Sequence, residues 1–416
     1  MPERIARQRT GWSLERAFYT SPEIFEFERR TWLAEQWYVL AHCSEVPEHG
    51  DYIVRDLLGE SLIIARGDDG VLRAFYNVCR HRGSRICDSD GRAASGFTCP
   101  YHAWTYRLDG SLRKAAALPE GLDTSSLGLH PVPVQEIAGL ILGSLRGDPT
   151  HLDIVREDAT AILRYYGIPE ARIAARRSYL THGNWKLVIE NFIECYHCLP
   201  CHPEFCSVMQ FTDVVARKPT LEITQEWQRT VESWFREHAD PECPVKQVQA
   251  NPLEQIASFG VMRGPIGGSH KTESQDGQPV APLMGNQRRF DGGMCGFRLE
   301  PFIYLTVLND HALMFQFLPV DTESTDVIVS WLVNGSAREQ DVDVDRMVWL
   351  WDVTTKQDKA IIERNAAGVR SLSYSPGPYS TLERWPKRFV ERYLRELDAR
   401  CESDSGRSPG AFANPP

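Results

Sequence analysis

Two short phrases, Cys79-Arg80-His81-Arg82-Gly83 and Cys99-Pro100-Tyr101-His102-Ala103-Trp104, each offer one thiol and one imidazole, with 17 residues between His81 and Cys99. Side chains of these types at this spacing hold a transition metal. A single tetrahedral zinc accepts two thiolates and two imidazoles, so spacing alone leaves that open. Zinc fingers, however, pair Cys with Cys and His with His, whereas each loop here contributes one of each. A cluster of two irons and two sulfides, with two thiolates on one iron and two imidazoles on the other, requires that mixture.

A second constellation follows in "ENFIECYHCLPCHPEF", which offers Glu194, His197 and His202. On a helix Glu194 and His197 share a face, while the five-residue step to His202 leaves it. Pro200 is expected to end the helix and let His202 swing back from the following loop, so that both imidazoles reach one ion. Two histidines and a carboxylate, with coordination positions left open, form the donor set of Fe(II) oxygenases. Cys195, Cys198, Cys201 and Cys206 in the same stretch have nearly the spacing of a ferredoxin cysteine run. The last step is one residue too long and the closing proline is absent, so packing along a buried helix edge is the expectation for the first three.

The elements that position these residues are legible in outline. Ser21, Pro22 and Glu23 form an N-cap, a first-turn proline and a first-turn acid, followed by Ile24, Phe27, Thr31, Ala34 and Tyr38 at helical spacing. From Tyr38 to about Leu112 the runs "DYIVRD", "SLIIARG" and "LRAFYNV", separated by "GDDG" and "LDGS", predict a small antiparallel β unit whose loops carry the two Cys/His phrases. A helix is predicted from about His151 to Tyr166, strands in "FIYLTVLNDHALMFQFLPV" and "DVIVSWLVNG", and a long helix in "DVDRMVWLWDVTTKQDKAIIERNAAGV". The fold class is therefore α+β: a small antiparallel β domain and a larger domain of helices on an antiparallel sheet. The divisions are residues 1–37, 38–150 and 151–400, with a polar, proline-bearing tail at 401–416 expected to be disordered.

A net charge of -10 argues against nucleic acid, whose phosphates need a basic surface. The most apolar stretch, "VPVQEIAGLILGSL", is too short for a bilayer and contains Glu136. An odd total of 11 cysteines, several beside histidines, and no signal-peptide pattern near Met1 predict a reduced, cytoplasmic setting. There is no Gly-rich nucleotide loop, since "GPIGG" lacks the spacing and context.

With these pieces assembled the sequence resembles the terminal oxygenase (alpha) subunits of Rieske non-haem iron oxygenases. Their loops read C-x-H-R-G and C-x-Y-H-x-W, and Ser84 and Tyr101 stand where respiratory Rieske proteins carry an extra pair of cysteines. The resemblance implies a START/Bet v1-like catalytic domain, one 2Fe-2S cluster on Cys79, His81, Cys99 and His102, and one Fe(2+) on His197, His202 and a later carboxylate. "KQDKAIIERNAAGVRS" matches the family's helix and assigns Asp358, with Ala366 where glutamine is common; Asp352 and Glu363 on the same helix stay open on physical grounds. It further implies that Glu194 joins a cluster histidine of one subunit to an iron histidine of the next in a homotrimer. A separate flavin or iron–sulfur reductase, or a ferredoxin, would bring electrons from NAD(P)H. Arg80 and Arg82 either dock that donor or support the loop.

Glutamate at the bridging place, rather than aspartate, is similar to the branch acting on quaternary ammonium compounds such as glycine betaine, choline or carnitine. The expected reaction is monooxygenation with O2 at an N-methyl carbon; hydroxylation or dihydroxylation of an aromatic ring is the alternative, and electron transfer without oxygenase chemistry the alternative of another class. A methylated ammonium favours aromatic faces, for which Phe297, Phe302, Tyr304, Phe315 and Phe317 are available.

Overall fold

A six-stranded antiparallel sheet forms the backbone of the larger half, in the order Ala171–Thr181, Thr325–Asn334, His311–Pro319, Ile303–Val307, Gly293–Leu299 and Phe259–Pro265. The computed structural model describes residues 1–93, 95–210, 221–245 and 259–405. The central strands are buried on both faces, which is why "HALMFQFLP" reads as a continuous apolar run. Alternation along it still assigns faces. Leu313, Phe315 and Phe317 join a core with Trp185, Val188, Leu350 and Ile362 from two helices, Trp185–Phe192 and Val344–Val369. Ala312 and Met314 join another core with Leu152, Val155 and Ile162 of the helix Thr150–Tyr165.

The long helix starts where the sequence predicts, with the Asp343 side chain accepting the Arg346 N–H at 3.2 Å. At the amino end the Ser21 Oγ accepts the Ile24 N–H at 3.3 Å. The expected single helix there is shorter, Pro22–Glu28, and passes into a wider π-turn over Arg29–Leu33. This re-aims Trp32 so that it stacks on Trp185 with centroids 5.2 Å apart. Beneath that stack, Lys186 Nζ donates to both Glu28 oxygens at 2.8 Å, all fully buried. The predicted tail begins later than residue 401: the helix Arg384–Ser405 takes in its first five residues, and 406–416 lie outside the described residues.

The smaller half is built from a five-stranded sheet, with Asp51–Leu57, Glu60–Arg66 and Leu72–Tyr76 at its centre, and a three-stranded one of Phe97–Thr98, Thr105–Tyr106 and Leu112–Lys114. Ile63, Phe75, Phe97, Trp104, Tyr106 and both cluster-loop cysteines share one core between them. The "VPVQEIAGLILGSL" stretch forms the hairpin Val134–Ile137 and Leu140–Gly143, paired onward to Tyr38–His42. Gln316 Nε2 of the large sheet donates to the Val39 carbonyl at 2.9 Å, tying the two halves together. Among the described residues no helix is long and apolar enough to cross a membrane.

Candidate metal centres

The two Cys/His loops have the same backbone construction. Cys79 N–H bonds the Ser84 carbonyl at 2.8 Å and Gly83 N–H returns to the Cys79 carbonyl at 2.9 Å; Cys99 N–H bonds the Trp104 carbonyl at 2.8 Å and Ala103 N–H the Cys99 carbonyl at 3.1 Å. Each loop closes through a left-handed residue, Gly83 in one and Ala103 in the other. Both thiols are buried while both imidazoles are exposed, their rings 4.7 Å apart, with His81 stacked on Trp104 at 4.8 Å. Tyr106 hydroxyl lies 3.2 Å from the Cys79 sulfur and accepts the Arg80 N–H at 3.0 Å. Burial pushes the Cys99 thiol up, but N–H groups of Tyr101 and His102 and the side chains of Cys79 and Ser84 outweigh it and hold its pKa down.

This donor set has a test within the structure. A single tetrahedral ion would draw its four ligand atoms to within about 4 Å of one another. Among the described residues the His, Cys, Asp and Glu donors that lie within 4.8 Å of one another, in a group of three or more, are His197, His202 and Asp358. The cluster-loop residues do not converge on one point; a buried thiol pair and an exposed imidazole pair suit two irons held apart by sulfides. Arg80 Nη1 donates to the Gly128 carbonyl at 3.0 Å and supports the loop, whereas Arg82 is exposed with its guanidinium 5.4 Å from the Tyr101 ring centre.

At the second site Asp358 Oδ1 lies 3.0 Å from His202 Nε2 and 3.3 Å from His197 Nε2. The outer nitrogens each meet an acceptor. His202 Nδ1 faces Gln357 Oε1 at 2.9 Å, and Gln357 Nε2 donates in turn to Glu204 at 2.7 Å; His197 Nδ1 bonds the Glu194 carboxylate. With a proton on each Nδ1 toward these acceptors, both rings would leave Nε2 for a shared cation. Burial opposes charge at His197, yet the Asp358 and Glu194 carboxylates raise its pKa to about 9. Such a pull on a proton suits a divalent cation in its place.

The path by which these residues meet differs from the expected one. The helix stops at Phe192, eight residues before Pro200, and Pro200 sits inside the short turn Cys198–Cys201. Glu194 accepts the Tyr196 backbone N–H as well as His197, so a side-chain turn replaces the helix. A disulfide between Cys195 and Cys198 closes the same turn, where unpaired cysteines were expected. Asp352 and Glu363 are occupied elsewhere: Asp352 pairs with Arg177 at 2.6 Å, the Tyr179 hydroxyl at 2.7 Å and Lys356 at 2.7 Å, and Glu363 accepts the His182 N–H at 3.0 Å.

Beside His202 and Asp358 lies a connected set of rings. Phe205 is 6.4 Å from His202 and 5.5 Å from Trp351; Phe315 is 4.9 Å from Trp351 and 5.1 Å from Phe192; Phe192 also meets Tyr304 at 5.0 Å and Phe317 at 4.7 Å. Of the five aromatic residues named from sequence, Tyr304, Phe315 and Phe317 belong to this set. Phe297 faces the opposite core against Phe259, and Phe302 fills the Tyr38 and Trp32 stack. Phe192, Phe205 and Trp351 were missed. Trp351 stands seven residues before Asp358 on the same helix face, a signal the sequence does contain.

An iron–sulfur domain joined to a helix-on-sheet domain with a His/His/Asp centre defines a Rieske-type iron-dependent oxygenase. Residues 169–399 match the ring hydroxylating alpha subunit (catalytic domain) family, and residues 36–133 match the Rieske [2Fe-2S] domain. The chain belongs to the ring hydroxylating alpha subunit family. It is 33% identical over 96% of its length, and 90% of the relative's, to the glycine betaine monooxygenase oxygenase subunit of Chromohalobacter salexigens. It is 29% identical, over 90% of this chain and 89% of the other, to the carnitine monooxygenase oxygenase subunit of Escherichia coli K12. Among solved structures, the quaternary ammonium Rieske monooxygenase CntA superposes with a TM-score of 0.70 at 27% identity, covering 96% of this chain and 98% of that one. As an oxygenase subunit the chain works with a reductase partner and a small substrate.

Proposed function

We propose that this oxygenase subunit monooxygenates a quaternary ammonium compound such as glycine betaine at an N-methyl carbon. The observation that carries this reading is the convergence of His197, His202 and Asp358 within 4.8 Å at the edge of an aromatic set that is buried except for the partly exposed Phe192 and Trp351. Cys79, His81, Cys99 and His102 hold the 2Fe-2S cluster, and His197, His202 and Asp358 hold a mononuclear Fe(2+). The iron, when bound, supplies O2 activation.

The protein's own groups do the rest. Phe192, Phe315 and Trp351 offer ring faces to a methylated ammonium, which has no N–H to satisfy and gains from π faces. They also keep water from the reacting carbon. Gln357 and Glu194 fix the two imidazoles through their Nδ1 protons. Per turnover one oxygen atom ends in the hydroxymethyl group, which leaves as formaldehyde, and the other in water; the two electrons come from the reductase. Electrons pass between subunits of a homotrimer, with Glu194 as the carboxylate between an exposed cluster imidazole of one subunit and His197 of the next. The exposure of His81 and His102, and of Tyr196 at 48%, supports this assembly.

A panel of betaines and aromatic acids, incubated with a surrogate reductase and scored for formaldehyde and oxygen uptake, tests the reading. Stoichiometric formaldehyde from a quaternary ammonium compound is expected. Uptake coupled only to ring hydroxylation would replace the substrate class.

A further inference from the structure

The turn that brings Glu194 and His197 together is closed covalently as well as by hydrogen bonds. Cys195 and Cys198 form a disulfide, with their Cα atoms 4.9 Å apart. The loop this bond closes holds two residues, Tyr196 and His197. His197 is the metal-site imidazole, whose Nδ1 bonds the Glu194 carboxylate; Tyr196 supplies the backbone N–H that the same carboxylate accepts. The helix Trp185–Phe192 ends just before this loop, and the short turn Cys198–Cys201 follows it and leads to His202. The disulfide therefore fixes the stretch of backbone that carries both partners of Glu194. The other nine cysteines are free, among them Cys79 and Cys99 of the cluster loops and Cys201, three residues beyond the bond. With 416 residues and three apolar cores the chain has no need of a staple. An isolated bond between cysteines three residues apart, with Cys195 half-buried rather than sealed in core, belongs with the labile, regulatory disulfides.

We propose that Cys195 and Cys198 form a reversible oxidation site that sets how firmly the mononuclear centre holds its iron, the disulfide form holding it more tightly than the dithiol. Covalent closure removes open conformations of the metal-free turn, so the metal has less to order when it binds. The turn also keeps the two sulfurs together without the bond, because the Cys198 N–H donates to the Cys195 carbonyl at 3.2 Å. Reduction therefore leaves the thiols adjacent, and the bond re-forms locally. The oxidant is hydrogen peroxide. One thiolate attacks a peroxide oxygen and becomes a sulfenic acid, and the second thiol displaces its oxygen; two thiols and one peroxide give one disulfide and two waters. The reverse step takes two molecules of a low-molecular-weight thiol, which leave as their own disulfide. The inference rests on His197 as a metal ligand, which the iron content of a His197→Ala variant tests by itself.

Two measurements on the full-length protein with its cluster intact test this. In the first, the protein is equilibrated anaerobically in mixtures of a low-molecular-weight thiol and its disulfide, quenched with acid, alkylated and analysed by peptide mass spectrometry. The peptide carrying Cys195 and Cys198 is expected to pass reversibly between a bonded and a doubly alkylated form. In the second, the thiol is removed and the metal-stripped mononuclear site is titrated with Fe(II) against a competing chelator. The dissociation constant should be about tenfold lower for the oxidised than for the reduced wild type, with the visible spectrum of the cluster unchanged. The double variant Cys195→Ser, Cys198→Ser should match the reduced wild type and ignore the redox mixture. A pair that stays reduced in every mixture, or that cannot be reduced in the folded protein, overturns the proposal. So does an iron affinity within about twofold between the two forms of the wild type, or a redox-dependent affinity that persists in the double variant.

Discussion

Replacing Gln357 by methionine, of similar volume but without the amide, removes the acceptor for His202 Nδ1 at 2.9 Å and the donor to Glu204 at 2.7 Å. His202 is 1% exposed, so no water takes the place of that acceptor. A hydrogen bond to a group that gains charge is worth ~1.5–3 kcal/mol, which at ~1.4 kcal/mol per tenfold corresponds to a 10- to 150-fold loss. The loss should fall on iron affinity at the mononuclear site, because the bond fixes which imidazole nitrogen faces the metal. Anaerobic Fe(II) titration of the metal-stripped mononuclear site against a competing chelator measures it, with the visible spectrum of the cluster as an internal control. The expected result is a dissociation constant raised at least about tenfold with the cluster spectrum unchanged. Affinity within about threefold of the wild type would refute the claim that Gln357 orients a metal ligand.

Three other expectations follow from the same contacts. Asp358→Asn should lose the mononuclear iron on dialysis and keep the cluster, whereas Asp352→Asn should keep both and lower the melting temperature through loss of the Arg177, Tyr179 and Lys356 contacts; metal analysis of the two variants separates them. Tyr106→Phe takes a hydroxyl from 3.2 Å beside the Cys79 sulfur, and one hydrogen bond of ~1 kcal/mol predicts a cluster potential lower by about 40 mV, read by spectroelectrochemistry; an unchanged potential would count against that bond. Glu190, partly buried between the Tyr19 and Tyr379 hydroxyls at 2.9 and 2.7 Å, has its carboxyl pushed by burial from 4.5 to about 7. The folded chain holds that proton more tightly than the unfolded one, so its stability falls as pH rises from about 4.5 through 7, by roughly 3 kcal/mol in all. Glu190→Gln should flatten that fall in denaturant titrations at pH 5 and 8; parallel profiles would contradict it.

The parts of this protein that the sequence reveals are those whose chemistry is local. The two Cys/His loops are legible because each ligand pair sits within four residues and strands flank them. His197 and His202 are legible by spacing, but their route to one point is not. A helix through residue 199 is what periodicity predicts, and it loses to a carboxylate that accepts the N–H two residues on, at Tyr196. The third metal-site residue shows the limit most plainly. Asp352, Asp358 and Glu363 are equivalent acids on one helix until Arg177 and Tyr179, on a strand some 170 positions earlier, claim the first, and the His182 N–H and Lys359 claim the last.

Elemental and sulfide analysis of anaerobically prepared full-length protein bears most directly on the two-centre account. It predicts per chain the two irons and two acid-labile sulfides of a [2Fe-2S] cluster plus one further iron that His197→Ala removes alone. Zinc in place of iron, or an iron content that His197→Ala leaves unchanged, would contradict it.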